Sequence, residues 1–554
     1  MNNTSHDITA PPDLKGHSAG TGPVRKQHPL YVHLLPPCNE ACPAGENIQA
    51  WLALAQAGQY EAAWQLIIQD NPLPAVCGRV CYHPCEDGCN RSHLDSPVSI
   101  HALERFLGDE ALRHGWKTPG ISDTKGAPGS LGIHAPTGKR VLIVGAGPSG
   151  LSAAWHLARL GHYAEIHEAG PMAGGMMHFG IPAYRLPRKE LEAEVERIRQ
   201  MGVSLVFNHP VTDISKEKEE GHFDVVFIAI GTQLSRKIDI PGRDAAKIMD
   251  AVTFLKQVES GQAPVLGRRV AIYGGGNTAM DAARTAKRLG ASEAMIIYRR
   301  DRRHMSAHDF EAQEALDEGV KINWLRTIKD MDGGAFTVEV MRLEDGKPVP
   351  TGEFETLEAD SLILALGQDA DTGFLKNLPD IAFKPDGTVI VGPDMMTGCP
   401  GIFAGGDMVP GERSVTVAIG HGKKAARYID AWLLGRHYQP ADKHPLISYE
   451  HLHRWYETHA PQSEQAELTP EQRTAGFDEV KAGLTEKEAR FEAQRCLSCG
   501  NCFECDGCFG ACPERAIIKL GAGKGYEFNY NQCTGCAECY EQCPCHAIEM
   551  IPGP

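Results

Sequence analysis

Eighteen cysteines, all but Cys399 gathered toward the two ends of the 554-residue chain, are its first chemical signal. Near the C-terminus, Cys502, Cys505, Cys508 and Cys512 stand before Pro513, and Cys533, Cys536, Cys539 and Cys543 stand before Pro544, so C-x2-C-x2-C-x3-C-P occurs twice. Thiolates at this spacing hold [4Fe-4S] clusters, and where two such runs occur together the fourth cysteine of each crosses to the other cluster. The expected ligand sets are therefore Cys502, Cys505, Cys508 with Cys543, and Cys533, Cys536, Cys539 with Cys512. Two further cysteines, Cys496 and Cys499 in RCLSCGN, stand directly ahead of the first run, where this motif has no use for them. Another group, from Cys38 to Cys89, lies near the N-terminus. Neighbours this close cannot all form disulfides in a rigid fold, so metal ligation in a reducing compartment is the expectation.

The middle of the chain carries two phosphate-binding turns. In KRVLIVGAGPSGLSAAWHLARLGHYAEIHEA an apolar β run turns through Gly145, Gly147 and Gly150 into a helix, and Glu168 closes the second strand. Glycines there let the backbone approach a pyrophosphate at the helix N-terminus, while the acid accepts from a ribose hydroxyl. RRVAIYGGGNTAMDAARTAKRLGASEAMIIYRRDRR repeats the pattern with Gly274, Gly276 and Ala279, and Asn277 and Thr278 lie in the same turn. Its second strand ends in Arg299 and Arg300 instead of an acid, which suits the 2'-phosphate of NADP. An arginine run at a strand end can equally be solvated surface. FAD in one site and NAD(P) in the other is the reading. Asp407, with Gly406, on the turn of GIFAGGDMVPG before a helix, is placed to hold the ribityl and pyrophosphate region of the flavin, which assigns FAD to the first turn. Gly231 and Gly367 mark the crossings between the two domains.

These sites need a multidomain scaffold, and 554 residues exceed one hydrophobic core. Residues 1–25 read as a mobile N-terminus, 26–115 as an α-helical iron–sulfur domain and 116–137 as a linker. Two α/β Rossmann-like domains follow, FAD at 138–252 and 369–440 with NAD(P) inserted at 253–368. A linker at 441–485 leads to an α+β bacterial-type ferredoxin domain at 486–554. A net charge of −16 argues against a nucleic-acid partner. Short apolar runs and an N-terminus without an apolar core suggest a cytoplasmic protein without membrane spans. Cys399 is the only cysteine between residues 90 and 490, so there is no redox-active C-x-x-C beside the flavin and electrons must leave by another route.

AGGMMHFGIPAYRLPRKEL, CGRVCYHPCEDGC and GGGNTAMDAARTA together resemble the small (β) subunit of glutamate synthase and its relatives over about residues 36 to 436. Those relatives include the NAD(P)H-linked subunits of bifurcating transhydrogenases and the N-terminal part of dihydropyrimidine dehydrogenase. The resemblance implies that Gly174, Gly175, Met176, Gly180, Ile181 and Pro182 shape the flavin pocket. It implies two N-terminal [4Fe-4S] clusters, the first from a run R-C-L-x-C-G-x3-C-x3-C-P. This chain keeps only Cys38-x3-Cys42-Pro43 of that run, and the missing RCLxCG stands at Arg495–Gly500. The expectation is that the displaced segment folds back, so that Cys496 and Cys499 join Cys38 and Cys89. The alternative is that these two thiols are unligated or bind zinc. The second N-terminal set implied is Cys42, Cys81, Cys85 and Glu104, although Glu104 would otherwise read as a surface acid of a helix. Cys77, Cys399 and Cys545 are left as structural thiols, and His304 and His308 as solvated loop residues.

Four clusters, FAD and NAD(P)(H) in one chain imply a converter between hydride and single electrons. The fused ferredoxin part resembles the NAD-linked subunit of 2-oxoacid:acceptor oxidoreductases of the phenylglyoxylate dehydrogenase type, which implies thiamine-dependent partner subunits and NAD. Set against the arginines, this leaves the nicotinamide as NAD(P). A glutamate synthase small subunit and a free-standing NAD(P)H:ferredoxin oxidoreductase are the alternatives.

Overall fold

The computed structural model describes residues 25–118, 134–236, 247–454 and 457–553. The expected mobile segment at 1–25, apart from its last residue, and most of the expected 116–137 linker lie outside the described residues.

Residues 48–114 fold into helices around Trp51, Trp64, Ile67, Leu103 and Leu107, all essentially inaccessible. Helices Pro74–Val80 and Ile100–His114 cross backbone to backbone: a Cβ on Gly78 would lie 2.3 Å from Arg105 N, and one on Gly108 2.5 Å from Ala75 N. This close crossing brings Glu104 under the cysteine-bearing turn that follows Val80.

Two five-stranded parallel sheets form the centre. The first runs Ile402–Ala404, Val225–Ile228, Arg140–Val144, Tyr163–His167, Ser204–Val206. The second runs Lys321–Trp324, Glu293–Tyr298, Arg269–Tyr273, Ser361–Leu364, Lys247–Asp250. RVLIV and VVFI, buried on both faces, are continuous apolar runs, as parallel strands covered by helices must be. The short strands Leu234–Ser235 and Gln368–Asp369 pair antiparallel where the chain passes between the two sheets. Helix Val415–Leu433 returns to lie along helix Pro148–Arg159, at a spacing only Gly422 permits: a Cβ there would meet Ser149 O at 2.3 Å.

The cysteine-rich C-terminus contains the hairpin Ile517–Lys519 with Tyr526–Phe528, and a last strand, Ile548–Pro552. That strand pairs antiparallel with Gln27–Tyr31 from the other end of the chain, Gln27 opposite Pro552 and Tyr31 opposite Ile548. Residues 27–31, expected within the helical domain, thus sit in the sheet of the C-terminal module. Pro29 can neither donate to a ladder nor sit in a central strand, and an edge strand accommodates it. Much of the segment expected as a 441–485 linker is packed: Ile447, Val480 and Leu484 are buried and Val480 N donates to Tyr184 O. Among the described residues no helix is long and apolar enough to cross a membrane.

Candidate cofactor cleft and cluster sites

A cavity of about 1140 Å³ runs between the two sheets, and both glycine turns open onto it. Gly145 and Gly274 adopt φ of +105° and +147°, which side chains disfavour. Gly147 and Gly276 cap the helices Pro148–Arg159 and Asn277–Arg288, whose first residues, Pro148 with Ser149 and Asn277 with Thr278, line the cavity. A Cβ on Gly147 would meet nothing within 4 Å, so this position lies open to the cleft, whereas one on Gly150 would stand 2.0 Å from Gly145 O. The turn therefore offers phosphate-sized space on one side and none on the other, and the residues fit a dinucleotide.

Of the expected nucleotide residues, Gly145, Gly147, Glu168, Gly175, Met176, Gly180, Ile181, Gly231, Gly406 and Asp407 line the first half of the cleft. Gly274, Gly276, Asn277, Thr278, Arg299, Arg300 and Gly367 line the second. Gly150, Gly174, Pro182 and Ala279 do not line it. Gly150 and Ala279 lie in the first turns of the two helices, Gly174 packs beneath Leu191, and Pro182 lines a separate small hollow with Phe179 and Phe477. Glu168 holds the turn by accepting from Ala146 N and Gly170 N, each at 2.8 Å. Burial pushes the Asp407 carboxyl up to about 6, against the opposing pull of Arg413. The Arg300 Nε is buried without a partner, whereas Arg302 turns away to pair with Asp309 at 2.7 Å, so the first two arginines of the run face the cleft.

Tyr82 and Arg185 were not anticipated as parts of this cleft. Tyr82 follows Cys81 directly; its hydroxyl accepts from Asn277 Nδ2 at 2.5 Å and its ring stacks on His308, centroids 3.7 Å apart. His308 is therefore not a solvated loop histidine: its N–H donates to Asn277 Oδ1 at 3.0 Å and burial lowers its pKa. His304 is exposed and bonds Asp301. Arg185, in the quoted YRLP segment, makes a two-pronged bond to Asp281 (2.8 and 2.9 Å) and reaches Glu311, tying the flavin-side loop to the second sheet's helices. No periodicity marks Tyr82, because its role depends on a partner 195 residues away.

The cysteines converge in four places. Cys38, Cys89, Cys496 and Cys499 line one hollow with Asn90 and Leu497, and Asn90 Nδ2 donates to Cys499 Sγ at 3.5 Å. The RCLSCG segment is anchored there by Arg495, which is 2% exposed and bonds Asp95, Glu492, Ser96 O, Pro97 O and Ala460 O. Arg91 in turn donates to Arg495 O at 3.0 Å. Burial, then mutual repulsion as thiolates, raises the Cys38 thiol, and burial pushes Cys496 up to about 11 and Cys499 to about 12. Four thiols gathered in one hollow are a donor set that fits a [4Fe-4S] core.

Cys42, Cys81 and Cys85 are mutual electrostatic neighbours, and Glu104 acts on the first two. Glu104 is 6% exposed, not a surface acid. Asn71 Nδ2 donates to Glu104 Oε1 at 2.7 Å and to Glu46 Oε1 at 3.0 Å, and burial followed by Glu46 raises the Glu104 carboxyl well above the usual range. Cys77 is buried nearby with its Sγ 3.7 Å from Asn71 Oδ1. In the C-terminal module Cys512, Cys533, Cys536 and Cys539 line one hollow, and Cys502, Cys505, Cys508 and Cys543 surround another point. Cys545 Sγ lies 3.8 Å from Cys543 Sγ, and that hydrogen bond lowers Cys543 to about 7.

A family model described as pyridine nucleotide-disulphide oxidoreductase matches residues 139–422, and one described as dihydropyrimidine dehydrogenase domain II, 4Fe-4S cluster, matches residues 34–116. The NADP(+)-dependent formate dehydrogenase subunit beta of Moorella thermoacetica is 36% identical over 510 residues, covering 84% of this chain and 70% of that one. The NADPH-Fe(3+) oxidoreductase subunit beta of Geobacter sulfurreducens is 32% identical over 515 residues, with 84% and 75% covered. The glutamate synthase [NADPH] small chain of Escherichia coli K12 is 34% identical over 429 residues, covering 72% of this chain and 89% of that one.

Proposed function

The chain belongs to the pyridine nucleotide-disulphide oxidoreductase family, as an NAD(P)H-dependent oxidoreductase using FAD and [4Fe-4S] groups, and from that premise we propose that it is the electron-transfer subunit of a larger enzyme. The observation that carries this reading is the single cleft joining both glycine turns, with Tyr82 linking it to the cysteine-bearing turn at Cys81. FAD, when bound, supplies the conversion between a nicotinamide hydride and single electrons. The chain's part is to seat the pyrophosphates on two helix N-termini, hold the ribose with Glu168, and face Arg299 and Arg300 toward an adenosine phosphate. The arginines, together with NADP(H) in the relatives' names, favour NADP(H) as the nicotinamide.

The four thiol sites form a line because neighbouring sites share short segments. Cys38 lies in helix Pro37–Ala41 and Cys42 caps its C-terminus, Cys499 and Cys502 are three residues apart, and Cys508 lies in helix Gly507–Ala511, whose C-terminus Cys512 caps. Three residues span at most about 11 Å. The order from the outside is the Cys512/533/536/539 site, then Cys502/505/508/543, then Cys38/89/496/499, then Cys42/81/85 with Glu104, then the flavin. Cys536 is exposed, as are Cys502 and Cys505 of the next site, so both C-terminal sites are open to exchange with a partner.

The fused two-cluster module keeps a thiamine-dependent 2-oxoacid:acceptor oxidoreductase as a candidate partner. The names of the relatives add formate oxidation and iron(III) reduction as chemistries for a partner chain, and glutamate synthesis stands as the second reading. Anaerobic purification from the native host, with mass spectrometry of the co-purifying chains, separates these. Stopped-flow mixing with NADPH should bleach the flavin first and the iron–sulfur absorbance afterwards. A flavin that reduces while every cluster stays oxidised would overturn the electron-transfer reading.

A further inference from the structure

The edge strand Gln27–Tyr31 does more than complete a sheet. Its last side chain, Tyr31, lies flat against Phe528, with centroids 4.5 Å apart and 17° between the planes, and beside Tyr526 at 6.5 Å. Its hydroxyl stands 3.4 Å from Cys508 Sγ, although 477 residues separate the two. The ring cannot drift from that position easily. Tyr31 pairs with Ile548, and Val32 N donates to Ala547 O at 3.0 Å immediately after it. Cys508 itself is buried against Ile517, Phe528 and Ile548, so water competes little for its sulfur.

A cysteine that ligates iron carries no proton, so the contact then has only one polarity: the phenol donates and the sulfur accepts. Such a bond stabilises the more electron-rich state of the group it touches, and hydrogen bonds to the sulfurs are among the levers that set cluster potentials. We propose that Tyr31 is a positioning residue that raises the reduction potential of the cluster held by Cys502, Cys505, Cys508 and Cys543, an inference that rests on the ligand reading given under Proposed function. The N-terminus of the chain thereby tunes a site built by its C-terminus, at the step between the outermost site and the N-terminal pair.

Tyr31→Phe in the full-length, cluster-loaded protein removes one oxygen and keeps the aromatic stack. Redox titration followed by electron paramagnetic resonance should show one cluster becoming harder to reduce: its reduced-to-oxidised ratio at a fixed potential falls about tenfold, which for one electron is about 59 mV. Iron and labile sulfide per chain should be unchanged, and the other signals should titrate where they did before. An unshifted titration at full iron content would overturn the proposal. So would the loss of a cluster from Tyr31→Phe, which would make the residue structural. Cys508→Ala separates this from the underlying assignment: if that variant keeps every cluster signal unaltered, the ligand reading has failed. If it alters one cluster while Tyr31→Phe shifts nothing, only the present inference has failed.

Discussion

The double substitution Cys496→Ser/Cys499→Ser tests the return of the displaced segment directly. In the structure these two thiols supply half of a four-thiol hollow whose other half is Cys38 and Cys89. Two thiolates and two hydroxyls are a poor cage for a cubane, so the site should empty and the other three should remain. On the four-cluster reading the fully loaded chain carries about sixteen irons, and the variant should carry about twelve, a loss of one quarter. The fold should survive, because Arg495 keeps its bonds to Asp95, Glu492 and the 96–97 backbone. Iron and acid-labile sulfide assays on anaerobically reconstituted protein provide the count, with Cys77→Ser and Cys399→Ser as controls expected to lose none. Unchanged iron in the double variant would refute the reasoning, and a fall in zinc instead of iron would assign the hollow to that metal.

Other expectations follow from single features of the structure. Replacing Arg299 and Arg300 by Ala should raise KM for NADPH by about ten- to a hundredfold, the worth of charge-assisted bonds to a phosphate, while steady-state kinetics with NADH change little. Arg185→Leu should strand the carboxylates of Asp281 and Glu311 and cost about 3–5 kcal/mol in urea unfolding of the nucleotide-binding region; a loss below about 1 kcal/mol would contradict the clamp. Burial alone would raise the Glu314 carboxyl, but Arg284 at 2.7 Å and Lys481 at 2.6 Å outweigh it and hold it at about 2 instead of 4.5. With a folded pKa below the unfolded one, its contribution is fully present above about pH 4.5 and disappears as the pH falls toward 2. Glu314→Gln should therefore remove at most about 3 kcal/mol at pH 7 and flatten the acid limb of a stability–pH curve. Gly150→Ala should abolish FAD retention, since its Cβ would meet Gly145 O at 2.0 Å, and a yellow, flavin-loaded variant would show that the helix can shift to admit it.

Local chemistry can be read directly from residue spacing. Glycines at fixed offsets between an apolar run and a helix specify a phosphate turn, because only local φ values and close approach are involved, and the turns at Gly145 and Gly274 open on one cleft. Cysteines three and four residues apart define ligand segments for the same reason, as at Cys502 to Cys512. The missing RCLxCG of the N-terminal group was legible as a displaced motif, and the structure places it beside Cys38 and Cys89. The tertiary structure alone decided the long-range pairings. QHPLY, with a proline in its middle, carries no strand signal, and becomes one only because Ile548–Pro552 presents an open edge to it. Glu104 entered the second N-terminal set through the family resemblance, since its place in a helix otherwise reads as a surface acid, and the glycine-dependent crossing of two helices is what buries it beside Asn71 and Glu46. Tyr82, His308 and Tyr31 gain their roles from partners about two hundred to five hundred residues away. Residue spacing encodes what one turn or one strand can do, whereas contacts of that separation depend on how whole domains pack, and no local pattern records them.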